Sequence, residues 1–190
     1  MEELTTSKFK KLIAQCRDIF SKKLIDYGTA WRILRIPSLT DQIHIKANRI
    51  RGIQEHGKPM INENQQTEFI GIINYSIILL IQLELGVVSQ PDMESEKALE
   101  LYDQKVEKAF ELMKRKNHDY GEVWKEMRVV SLTDLIIQKL FRVKSIDTND
   151  GVTLLSEGID ANFLDIINYS IFALIHLGEN NTKKTPIDEN

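Results

Sequence analysis

Apolar residues recur along most of the chain at intervals of three and four, the period of a helix with one buried face. "FKKLIAQCRDIF" (9–20) and "ALELYDQKVEKAFELM" (98–113) carry this pattern and predict helices over residues 4–24 and 95–117. Glycines at 28 and 121 stand just beyond, where a left-handed cap suits them. Two other stretches, "EFIGIINYSIILLIQL" (68–83) and "NFLDIINYSIFALIHL" (162–177), are apolar on nearly every side. Such helices are buried on most of their surface. The run 69–85 approaches the length that spans a membrane. Asn74, Ser76, Gln82 and Glu84 interrupt it and no basic cluster flanks it, so a core helix of a bundle is the better reading. No alternating strand pattern is present. The expected fold is all-α, with about six helices.

The same text occurs twice. "DYGTAWRILRIPSLTDQIHIKANR" (26–49) and "DYGEVWKEMRVVSLTDLIIQKLFR" (119–142) share twelve of twenty-four residues at a shift of 93. The two "INYS" segments share ten of sixteen at a shift of 94. The chain is an internal duplication, with unit one over 4–88, unit two over 95–179, and "GVVSQPDMES" as a turn-rich linker. Each unit reads as three helices. The second helix is expected to start at "SLTD", where Ser38 with Asp41, and Ser131 with Asp134, have capping-box spacing. One unit alone leaves its third helix only partly covered. The two units should therefore pack face to face as one compact domain, with the third helices near a pseudo-twofold axis.

Composition narrows the function classes. Apolar content of 42% and charged content of 28% are ordinary for a soluble domain, and a net charge of −3 provides no basic field for nucleic acid or membrane. Cys16 is the sole cysteine and lies in an apolar pattern, so it reads as a core residue. The sequence as it stands shows no secretory leader, and the cytoplasm is the expected compartment. The four histidines have no paired metal spacing, and no P-loop, Rossmann glycine motif or nucleophilic triad pattern occurs.

The repeated polar and aromatic residues have two readings each. Tyr27 with Trp31, and Tyr120 with Trp124, either plug the turn after the first helix or form a stacking platform for a base. Lys46 with Arg49, and Lys139 with Arg142, each share one helix face and suit a phosphate or carboxylate. Asn74 and Asn168 sit among Ile and Leu, and a buried amide must find partners. The units then diverge. Glu157 and Asp165 stand in unit two; unit one has Glu63 and Glu68, with Gly71 at the place of Asp165 and Glu68 at that of Asn162. A carboxylate on so apolar a helix requires a cation, for which Lys139, Arg142 or Mg²⁺ are candidates.

Taken together, "DYG…W", "SLTDQI…K..R" and the "INYS" helix resemble a bacterial and phage family, the nucleotide modification associated domain, type 1, in its two-copy form found in Bacteroidetes. The resemblance spans both units. It implies a site of Lys139, Arg142, Glu157, Asp165, Asn168 and Tyr169 in unit two, and of Lys46, Arg49, Glu63, Asn74 and Tyr75 in unit one. More distantly, the third helix is similar to the carboxylate-bearing helix of the all-α nucleoside triphosphate pyrophosphohydrolases, the MazG and dimeric dUTPase group. That likeness implies Mg²⁺ held by Glu157 and Asp165, joined by Glu63 and Glu68, and hydrolysis of a (deoxy)nucleoside triphosphate. A non-catalytic nucleotide sensor or interaction module is the alternative. The expected partner is a small-molecule nucleotide, bound by the single chain or a homodimer, with no membrane or nucleic acid involved.

Overall fold

The computed structural model of the protein describes residues 2–57, 64–148 and 158–182, and there is no strand among them. Helix α1 (Glu2–Tyr27) leads through a 3-10 turn (Ala30–Ile33) into α2 (Ile36–His56) and α3 (Gln65–Leu85). The order then repeats: α4 (Ser95–Tyr120), a 3-10 turn (Val123–Glu126), α5 (Val129–Thr148) and α6 (Ile159–Thr182). Helices α1 and α4 run three residues past their expected ends. They stop at Gly28 (φ 57°) and Gly121 (φ 67°), which take the left-handed conformation a side chain would strain.

The units pack as a pseudo-twofold bundle. Helix α3 lies against α6, α2 against α5 and α1 against α4, while each third helix also packs on the second helix of its own unit. Helices α3 and α6 are each long and apolar enough to cross a membrane, but most of their surface is covered by the other helices. Phe69, Ile72, Ile73 and Ile77 of α3, and Phe163, Ile166, Ile167 and Ile171 of α6, are fully buried. Cys16 is buried as expected; burial pushes its thiol up to about 12, which leaves it unreactive.

The "SLTD" segment does not cap. Helix α2 begins two residues before Ser38, after an extended Arg35, with Pro37 in its first turn and no side-chain cap. Proline lacks the N–H that a cap would satisfy, and its fixed φ suits that turn. In unit two Val129 likewise starts the helix ahead of Ser131. The four letters divide their work differently. Leu39 and Leu132 are core residues. The hydroxyls of Thr40 and Thr133 donate to the carbonyls of Ile36 (2.9 Å) and Val129 (3.0 Å). Asp41 pairs with Lys144 (2.8 Å) and Asp134 with Arg51 (2.5 Å), two matching bridges between the units. All four groups are more than a third exposed, so each bridge fixes register and contributes under about 1 kcal/mol.

The two buried asparagines are fasteners. Asn74 Nδ2 donates to the Cys16 carbonyl (3.1 Å), and Asn168 Nδ2 to the Ala109 carbonyl (3.0 Å), at the same place in each repeat. The acceptor sides differ. Asn74 Oδ1 receives the Tyr102 hydroxyl (2.8 Å) from α4. The repeat places Phe9 where unit two has Tyr102, and Asn168 Oδ1 is buried without a donor among the described residues. Phe9→Tyr should therefore supply the missing donor. It is expected to raise the unfolding free energy by about 0.5–1.5 kcal/mol in urea titration, whereas a fall would show that the ring has no room for an oxygen.

The linker is held by Arg32, which is only 2% exposed. Its Nε donates to Asp92 (2.9 Å), and Nη1 donates to the Gly86 carbonyl (2.8 Å) and to Gln82 Oε1. Gln82 Nε2 in turn donates to the carbonyls of Arg32 and Leu34 (2.8 Å each). The 3-10 turn, the end of α3 and the linker are thereby clamped together.

Candidate functional site

In unit one, helices α1, α2 and α3 and the 3-10 turn line a partly open cavity of about 710 Å³. Phe20, Tyr27, Trp31 and Tyr75 contribute rings to it, and Leu24, Leu34, Ile70 and Ile78 contribute aliphatic surface. Lys23, Lys46, Asn74 and Thr67 are its polar members, and none of its lining residues is acidic. The volume lies in the range of small-molecule sites, mostly apolar with a few convergent polar groups.

Geometry follows from the helices. Lys23 lies one turn before Tyr27 on α1, exposed and with no salt-bridge partner among the described residues. Lys46 rises from α2 and crosses Gly71 of α3: a Cβ at Gly71 would lie 2.7 Å from Lys46 Cε. Its Nζ reaches Glu68 (3.2 Å) and stands 5.9 Å above the Tyr75 ring. Glu68 is 1% exposed and also holds Arg49 (3.2 Å). It occupies the first turn of α3, where the helix dipole favours a carboxylate.

Unit two is built differently at the corresponding place. Asp165 replaces Gly71, and its carboxylate, 3% exposed, lies between Lys139 (2.7 Å) and Lys116 (2.5 Å). The Trp124 ring stacks flat on Phe172, with centroids 4.3 Å apart and planes 5° from parallel. In unit one the residue at the Phe172 position is Ile78, which lines the cavity. Asn162, at the Glu68 position, turns back to the Gly158 carbonyl (2.8 Å).

The expected site residues are therefore only partly assembled. Trp31 and Tyr27 border the open cavity with Lys46 and Asn74. Arg49 serves Glu68. Lys139 meets Asp165 as anticipated, while Arg142 faces solvent beside Gln138. Tyr120 is 73% exposed and Trp124 is packed in the core, so they do not make a paired platform. Nor do Tyr27 and Trp31 together plug a turn, because Tyr27 is 71% exposed. Glu63 and Glu157 lie outside the described residues. Among the described residues no three His, Cys, Asp or Glu side chains converge. Glu68 and Asp165, the two expected donors among the described residues, each face two cationic side chains.

Lys23 and Lys116 are the residues that sequence inspection passed over. They match at the shift of 93, three positions before the aspartate of "DYG". Extending the repeat backwards past the non-identical residues 24–25 and 117–118 would have found them.

A family model described as nucleotide modification associated domain 1 matches the chain twice, over residues 23–83 and 116–177, together well over half of its length. Both matched segments begin at these lysines. No curated protein and no solved structure matches the chain significantly.

Proposed function

Since the chain belongs to the nucleotide modification associated domain 1 family and carries that domain twice, we propose that it binds a nucleotide in the unit-one cavity and acts there as a sensor or interaction module. The observation that carries this reading is the cavity itself: aromatic rings of Trp31, Tyr27 and Tyr75 share one space with Lys23 and Lys46, and no lining carboxylate opposes an anion. Rings provide stacking surface for a base, and ammonium groups provide charge for phosphate. Asn74 contributes less than its position promises, because both ends of its amide are committed to the fold.

Hydrolysis of a (deoxy)nucleoside triphosphate with Mg²⁺ is the competing reading, drawn from the likeness to the pyrophosphohydrolases. Lysine pairing at Asp165 and the mixed pairing at Glu68 favour the non-catalytic form. The test is a nucleotide panel with and without Mg²⁺, read by thermal unfolding, Trp31 fluorescence and pyrophosphate release. A ligand at a hundredfold excess over Kd stabilises by about 2.7 kcal/mol, so a raised Tm without pyrophosphate is the expected result. Pyrophosphate release, lost in Asp165→Ala, would establish the hydrolase instead. A flat response across the panel would sink nucleotide binding altogether.

A further inference from the structure

The two units give the same cationic pair different counter-ions. Lys116 and Lys139 converge on Asp165, a carboxylate supplied by the chain itself and almost wholly buried. Their repeat partners Lys23 and Lys46 line one cavity, and the residue at the Asp165 position is Gly71, which offers no side chain. Beside that place, Phe172 packs on Trp124 in unit two, while Ile78 leaves space next to Trp31 in unit one. Two substitutions on one helix face thus fill one site and leave the other open.

We propose that the unit-one cavity seats a phosphate monoester of its ligand between Lys23 and Lys46, where Asp165 stands in unit two, so that each chain takes one ligand and unit two is closed by its own side chain. This rests on the nucleotide reading for the base but not for the anion. A monoester phosphate carries about −1.5 to −2 charges at pH 7, which two ammonium groups match. Glu68 lies one turn away on α3 and holds Lys46 at the edge of the cavity, so an incoming phosphate competes with Glu68 for that ammonium. Arg49 remains to neutralise Glu68 when Lys46 turns to the ligand.

Gly71→Asp copies the unit-two solution. The contact it would make is with the far end of the Lys46 side chain, which can move, and the backbone at Gly71 is ordinary helix. Lys23→Gln is a second variant at an exposed position with no effect on packing. Calorimetric titration of the full chain with nucleoside monophosphates, the matching nucleosides and inorganic phosphate separates the possibilities. The expected result is one monophosphate per chain, at least tenfold weaker binding of the nucleoside, and at least tenfold loss in both variants, with Tm of Gly71→Asp unchanged or raised. Phosphate binding that Gly71→Asp abolishes, without any gain from a base, would keep the anion seat and remove the nucleotide reading. Nucleotide binding indifferent to Gly71→Asp and Lys23→Gln would overturn the seat while leaving that reading intact. Two equal sites in the unmodified chain would overturn the closure of unit two, and no binding of any probe would overturn both.

Discussion

Arg32→Met is expected to lower the unfolding free energy by about 3–5 kcal/mol and to open the linker to protease. Methionine replaces much of the apolar stem but none of the donors. The Gln82 amide oxygen and the Gly86 carbonyl then lose their bonds to Arg32 in a place water does not reach freely, and Asp92 loses its counter-ion. Unfolding in urea measures the loss, and limited proteolysis locates it at residues 86–94. The bond from Arg32 also holds the Asp92 carboxyl below the usual carboxylate range. Because the folded value is the lower one, this contribution is complete above the ordinary carboxylate value and is lost as the pH falls through and below it. Arg32→Met should therefore be less sensitive than the unmodified chain to acid in that window. Equal protease resistance in both proteins would show that the clamp is dispensable.

The second large effect is an inequality between matching positions. Asn74→Ala is expected to cost about 3 kcal/mol or more, and Asn168→Ala about 1–2 kcal/mol. Truncating Asn74 removes a donor to the Cys16 carbonyl and an acceptor for the Tyr102 hydroxyl, which burial keeps protonated. Truncating Asn168 removes one bond, and also an oxygen that has no donor among the described residues. Tyr102→Phe should bring the Asn74 side down toward the Asn168 side, since it recreates the arrangement that Phe9 gives unit two. Matched denaturation curves for the three variants test this. Equal losses at 74 and 168 would mean that the Tyr102 bond contributes nothing.

Much of this architecture was legible in the letters. The duplication, the all-helical class and the burial of the "INYS" helices follow from identity at a fixed shift and from apolar residues all round a helix. The "SLTD" spacing predicts a helix start that the structure places earlier in both units. Ser38 and Asp41 have the right spacing, but both second helices start two residues ahead of the serine, at Ile36 with Pro37 in the first turn and at Val129 without a proline. Asp41 and Asp134 find their partners on the opposite unit, far along the chain, where no spacing rule reaches. The asparagines read as buried amides needing partners, and the fold supplies backbone carbonyls. The site was the least legible part. Its shape depends on which of two aligned positions is small, Gly71 against Asp165 and Ile78 against Phe172, and those differences acquire meaning only when α1, α2 and α3 are brought together. Cations were easier to find than their roles: Lys46 and Lys139 align and each meets a buried carboxylate, yet Lys46 also borders a cavity.

Joining both copies covalently has a consequence for how such a protein can change. Two separate identical subunits must accept every replacement at both places at once. A tandem chain is released from that rule: glycine can stand at 71 while aspartate stands at 165, and one half can become the scaffold of the other. The bridges from Asp41 and Asp134 still tie the halves in register, so specialisation proceeds without loss of the shared frame.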